Sequence, residues 1–160
     1  MDVVAKKIYI TWGEVGRLVD NLCEQIRETY TAVECVGGLA RGGLIPAVMI
    51  SHRLKLPYIQ SADFVKPGGD HQQFITLPSG LLVVDDICDT GATMEKYRIE
   101  TCTAVLHHKP HTACMTPNMY AKLHEGDEWI VYPWERNDSE TIQDYKLDNT
   151  NKFHILKEKS

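Results

Sequence analysis

Seventeen Lys and Arg against 22 Asp and Glu leave this 160-residue chain with a net charge of -5, which argues against a nucleic-acid partner, since such proteins carry a basic excess. With 43% hydrophobic and 24% charged residues and no apolar run near the ~20 residues that span a bilayer, neither a disordered nor a transmembrane chain is expected. The length predicts a single domain over 1–160, and the opening Met1 to Lys7 lacks a signal-peptide core, so a cytoplasmic location is expected. Five widely spaced cysteines, Cys23, Cys35, Cys88, Cys102 and Cys114, form no C-x-x-C pair, which fits reduced thiols better than a disulfide framework or a zinc site.

Thr11-Trp12-Gly13-Glu14 has capping-box spacing, and Val15, Leu18, Val19, Leu22 and Ile26 follow at helical intervals, predicting a helix from about Trp12 to Tyr30. The run Ala32 to Val36 reads as a strand leading into the glycine-rich Gly37 to Gly43, and Leu44 to Leu54 as a second helix with Pro46 in its first turn. Tyr58 to Ser61 reads as a short strand. The polar stretch from Asp63 to Gln73 reads as an exposed mobile loop, expected to act as a lid that keeps water from the site. Leu81 to Val84 is a continuous apolar run, expected to form a strand buried on both faces and to stop at Asp85-Asp86. Thr101 to Leu106 and Trp129 to Tyr132 read as later strands. Strands alternating with helices predict an α/β fold with a mostly parallel sheet. His107, His108 and His111 lack a metal-binding spacing and are expected at the surface, and the polar 136–160 reads as an extension without a legible role.

The chemistry concentrates in Val83-Val84-Asp85-Asp86-Ile87-Cys88-Asp89-Thr90-Gly91-Ala92-Thr93. A buried strand delivers three carboxylates to its carboxyl edge, and a Thr-Gly-Ala-Thr turn then opens a helix, offering backbone N–H groups and hydroxyls to a phosphate. Acids beside a phosphate cradle need another partner, and vicinal sugar hydroxyls or Mg²⁺ would supply it. The segment resembles the phosphoribosyl-pyrophosphate (PRPP) motif of the type I phosphoribosyltransferases. Gly38 to Pro46, with Arg41-Gly42-Gly43 after a strand, is similar to the diphosphate loop of the purine members. His108-Lys109-Pro110 and the later Trp129-Ile130-Val131-Tyr132-Pro133-Trp134-Glu135 resemble the base-binding region of the xanthine-guanine branch. The likeness spans about 7–135.

The resemblance implies a twisted, mostly parallel sheet flanked by helices, with a small hood for the base. It implies transfer of the phosphoribosyl group of PRPP to guanine, xanthine or hypoxanthine in purine salvage, with Mg²⁺ as cofactor and a homodimer or homotetramer as the assembly. Residue by residue, it places Thr90, Gly91, Ala92 and Thr93 at the 5′-phosphate, Asp85 and Asp86 at the ribose hydroxyls, and Ala40, Arg41 and Gly42 at the diphosphate. Lys109, Trp129 and Ile130 fall at the base, Asp86 and Glu135 at the metal, and Asp89 in the role of general base. Four positions depart from the branch: Ala40 stands for a Ser, Ala92 for a Gly, Val131 for a Glu and Glu135 for an Asp. A non-catalytic sensor of PRPP or nucleotide with the same fold is the alternative reading. Asp89, Lys109 and Trp129 favour the enzyme, because a sensor needs neither a general base nor a base pocket.

Overall fold

The computed structural model describes residues 5–60, 77–98 and 101–135; the expected lid over Asp63 to Gln73 and the extension 136–160 lie outside them. Strand β1 (Lys7–Tyr9) leads into helix α1 (Trp12–Thr29), and β2 (Cys35–Gly38) into α2 (Leu44–Leu54). Then come β3 (Tyr58–Ile59), β4 (Leu81–Cys88), the one-turn α3 (Ala92–Glu95), β5 (Cys102–His108), β6 (Met119–Leu123) and β7 (Trp129–Val131).

Helix α1 begins where the capping box places it: Glu14 N–H donates to Thr11 Oγ1 at 3.1 Å, and Thr11 N–H donates to Glu14 Oε2 at 2.7 Å. Val15, Val19, Leu22, Cys23 and Ile26 form its buried stripe. The main sheet has the order β3-β2-β4-β5-β6 and every pairing in it is parallel. Alternation along the strands covers both faces, as a parallel sheet requires. Val36, Leu82, Val84, Ala104 and Leu106 pack in one core with α1, while Leu81, Val83 and Val105 pack in a second with Met94 and Met115. A separate two-stranded sheet pairs β1 with β7, also in parallel, and its Ile8 and Ile130 pack in the same core as α1.

Several elements differ from expectation. The first inner strand forms over Cys35–Gly38 rather than Ala32–Val36, because its ladder with β4 starts at Cys35↔Leu81 and runs into the glycines. Strand β4 does not stop at the acids: Asp85 pairs with Val105, Ile87 with His107 and Cys88 with His108, so β5 carries it four residues further. His107 and His108 are buried, each 2% exposed, where surface positions were expected. Cys23, Cys35 and Cys88 are buried thiols, and Cys114 is exposed. Among the described residues no helix is long and apolar enough to cross a membrane.

Candidate active site

Strands β2 and β4 are neighbours although β3 lies between them in sequence. The chain leaves β2 toward one edge of the sheet and returns on the other side, and such a reversal opens a crevice at the carboxyl ends of the strands. Three segments meet there: 39–43 after β2, 85–93 at the end of β4, and 109–114 after β5.

The first segment is drawn tightly onto β4. Leu39 N–H donates to the Val84 carbonyl at 2.9 Å, and Gly43 N–H to the Leu39 carbonyl at 2.9 Å. A methyl group at Gly42 would overlap the Asp86 carboxylate, so glycine here allows the loop to lie against that acid. The Ala40–Arg41 peptide is cis, and both residues are exposed.

Asp85 and Asp86 are partly accessible but recessed in this crevice. Asp86 N–H donates to Asp85 Oδ1 at 2.9 Å and Ile87 N–H to Asp86 Oδ1 at 2.8 Å, which fixes both side chains. Burial, reinforced by the Asp86 charge, pushes the Asp85 carboxyl well above the usual carboxylate range, and burial also raises Asp86. Glu135 is raised chiefly by burial and also by Asp86, against the opposing field of Arg41. These four side chains therefore sense one another, and the acids are primed for a cation or for hydroxyl donors.

Tyr132 organises this group. Its hydroxyl donates to the Asp86 carbonyl at 3.0 Å, and its backbone N–H donates to Glu135 Oε2 at 3.1 Å. His107 Nδ1 lies 2.7 Å from the same hydroxyl. Burial lowers the His107 pKa to about 4, so the ring is neutral, and because the phenol proton is committed to Asp86, Nδ1 carries the ring hydrogen and donates it. The Tyr132 ring stacks on Trp134 with centroids 4.8 Å apart, and Trp134 in turn meets Trp12 at 5.9 Å.

Past β4, Gly91 adopts φ +79°, a left-handed conformation that a side chain would strain. Thr90, Ala92 and Thr93 are exposed around it. The following helix has only four residues, so the loop's N–H groups and hydroxyls, more than a helix dipole, would meet an anion. Asp89 is next to this turn. Its Oδ1 accepts from Thr112 Oγ1 at 2.7 Å, and its Oδ2 lies 4.0 Å from Lys109 Nζ. Lys109 is 5% exposed and also donates to the Glu128 carbonyl at 3.0 Å. Trp129, half-buried, directly follows that carbonyl. Ile130 places its side chain in the hydrophobic core, so any contact with a ligand falls to its main chain.

Among the described residues no three His, Cys, Asp or Glu side chains assemble as a metal cluster. The pair Asp86 and Glu135 still fits Mg²⁺, which takes one or two protein carboxylates and completes its shell with water and substrate oxygens. Local sequence does not mark Thr112, Tyr132 or His107 as functional. Tyr132 lies inside the stretch Trp129 to Glu135 and His107 directly precedes His108-Lys109-Pro110, whereas nothing in the order of residues distinguishes Thr112.

No family model matches the chain. A purine phosphoribosyltransferase from Pyrococcus horikoshii is 34% identical, with a TM-score of 0.63 over 86% of this chain and 99% of that one. The xanthine-guanine phosphoribosyltransferases of Idiomarina loihiensis and Cereibacter sphaeroides are each 29% identical, over 145 and 147 residues, covering 81% of this chain and 88% and 87% of theirs. Glycine loop, paired acids and Thr-Gly-Ala-Thr turn thus stand at one sheet edge in a chain 34% identical, over 86% of its length, to a solved enzyme. It belongs to the type I phosphoribosyltransferases, a family of enzymes, among the purine phosphoribosyltransferases.

Proposed function

We propose that this enzyme transfers the 5-phosphoribosyl group of PRPP to a 6-oxopurine, giving the nucleoside 5′-monophosphate and diphosphate. The observation that carries the choice of base is the 4.0 Å juxtaposition of Lys109 Nζ and the Asp89 carboxylate beside the Thr-Gly-Ala-Thr turn. One edge of guanine, xanthine or hypoxanthine presents the O6 acceptor next to N7, which carries a hydrogen when N9 is free to react. A cationic donor beside an anionic acceptor matches that edge. Adenine presents an amino donor at position 6, which would face the ammonium with nothing to accept.

In this reading Thr90, Gly91, Ala92 and Thr93 bind the 5′-phosphate, Asp85 and Asp86 accept hydrogen bonds from the ribose hydroxyls, and Ala40, Arg41 and Gly42 receive the diphosphate. Trp129 lies along the base and Lys109 donates to O6. As the C1–oxygen bond to diphosphate breaks and the C1–N9 bond forms, positive charge develops at C1, and the acids of β4 stabilise it. Asp89 takes the proton leaving N7. Mg²⁺ held by Asp86 and Glu135 would neutralise charge on the departing diphosphate.

Diphosphate release is the test, measured with PRPP and Mg²⁺ and with guanine, xanthine, hypoxanthine, adenine and uracil offered separately, on wild type and Asp89→Asn. Release with the oxopurines, lowered about 100-fold or more in the variant, is expected. Preferential release with adenine or uracil, or with none of the five, would overturn the assignment.

A further inference from the structure

Segment 109–114 lies alongside the end of β4. Lys109 N–H donates to the Cys88 carbonyl at 2.9 Å and Cys114 N–H to the Thr90 carbonyl at 2.8 Å. Between these two backbone bonds stands the Thr112 side chain, which is exposed and could be satisfied by water. Instead its Oγ1 lies 2.7 Å from Asp89 Oδ1, 3.0 Å from the Asp89 carbonyl and 3.5 Å from the Lys109 carbonyl. A hydroxyl has one proton to give. The shortest distance and the only charged acceptor both select Oδ1.

A half-exposed carboxylate at the end of a strand turns freely on the picosecond-to-nanosecond scale unless something holds it. Here one oxygen is occupied by Thr112, and the other faces Lys109. A proton acceptor at Oδ2 therefore stands next to the ammonium that would hold O6, which is the arrangement the N7–O6 edge of an oxopurine requires. We propose that Thr112 is a positioning residue for proton transfer: its hydroxyl occupies Oδ1 and holds Asp89 so that Oδ2 receives the proton released from N7. This inference rests on the function proposed above. It concerns the rate of the chemical step and leaves substrate binding to Lys109, Trp129 and the phosphate turn.

The test compares wild type, Thr112→Val and Thr112→Ser by steady-state kinetics with PRPP and the best oxopurine. Valine keeps the shape of threonine and removes the hydroxyl; serine restores it. We expect kcat to fall about 10- to 100-fold in Thr112→Val, a fraction of what general-base catalysis contributes. KM for PRPP and for the base should stay within about twofold, and Thr112→Ser should recover most of the rate, because it restores the donor. Should Thr112→Val show no cooperative melting, Thr112→Ala takes its place. An unchanged kcat in the variant lacking the hydroxyl, an equal loss in serine and valine variants, or a loss confined to KM would each overturn the proposal. A wild type inert with every base sinks the reading of the site beneath it as well, and that is seen before any variant is made.

Discussion

The phenol of Tyr132 is bonded to the main chain of Asp86, its hydroxyl donating to that carbonyl at 3.0 Å. The bond ties the segment after β7 to the strand carrying both paired acids, and its phenol end is buried, with Tyr132 1% exposed. Tyr132→Phe keeps the ring and its stack on Trp134 but strands the Asp86 carbonyl and the Nδ1 hydrogen of His107. Unsatisfied buried groups cost about 1–3 kcal/mol. Urea unfolding should show that loss as a lower midpoint at unchanged slope; an unaltered midpoint would mean water replaces the phenol.

His107 makes stability depend on acid in a definite direction. Its folded-state pKa, about 4, lies below the ordinary 6.5, so the native protein binds fewer protons than the unfolded chain between those values. The stability due to the neutral ring is full above about pH 6.5 and is lost as pH falls toward 4. His107→Gln retains a donor for Tyr132 without titrating. Between pH 7 and 4 the wild type should lose on the order of 3 kcal/mol relative to this variant, measured by unfolding both proteins at each pH. Parallel curves would exclude a neutral buried ring.

Asp85 acts in the opposite sense. Burial first, and the charge of Asp86 second, raise its carboxyl well above the usual range, so ionising it costs the ligand-free protein stability above that raised value. The cost is relieved as pH falls and the group protonates. Asp85→Asn should therefore melt higher than wild type at pH 8, with the gap closing on acidification, while losing turnover with PRPP. A variant that melts lower at pH 8 would contradict a strained acid pair.

Two glycines give opposite predictions for the same substitution. At Gly42 a methyl group would overlap the Asp86 carboxylate, so Gly42→Ala should destabilise by about 1–3 kcal/mol, as overpacking does, and reduce turnover by displacing the loop. At Gly13, in the first turn of α1, the nearest atoms would be Arg17 Nη1 at 3.7 Å and Thr11 Oγ1 at 3.8 Å, ordinary contacts. Gly13→Ala should instead stabilise by about 0.5–1 kcal/mol through helix propensity. Thermal melts of the pair, run together, check both.

Local pattern revealed most of the frame. The capping box, the apolar stripe of α1 and the Leu81 to Val84 run are signals that a few neighbouring residues carry on their own. Strand β6 carries no such local signal, because Met119 to Leu123 has no β-branched residue and its pairing with β5 is what makes it a strand. The continuation of β4 through Asp85 and Asp86 had the same cause, since β5 supplies the ladder for residues whose side chains favour water. His107 and Lys109 are polar yet buried because each meets a polar partner far along the chain, the Tyr132 hydroxyl and the Glu128 carbonyl, while His108 is buried against the Tyr120 ring with its Nδ1 unpaired. At the site, the acids and the glycine turn form a recognisable string of letters. Thr112 does not, since its role comes from a turn that folds back on Asp89.

The pairing of β1 with β7 joins Lys7 to Trp129 and Tyr9 to Val131. On a ribosome, β1 must wait for β7 to appear. About 120 residues separate them, so at ordinary elongation rates the wait is roughly 6 to 24 s. For that time the main sheet can assemble from β2 to β6 while Lys7–Tyr9 remains an unpaired strand. The ladders that hold Asp85 and the Thr90 turn in place come from β2, β4 and β5, so this edge of the main sheet needs no residue of β7 to form.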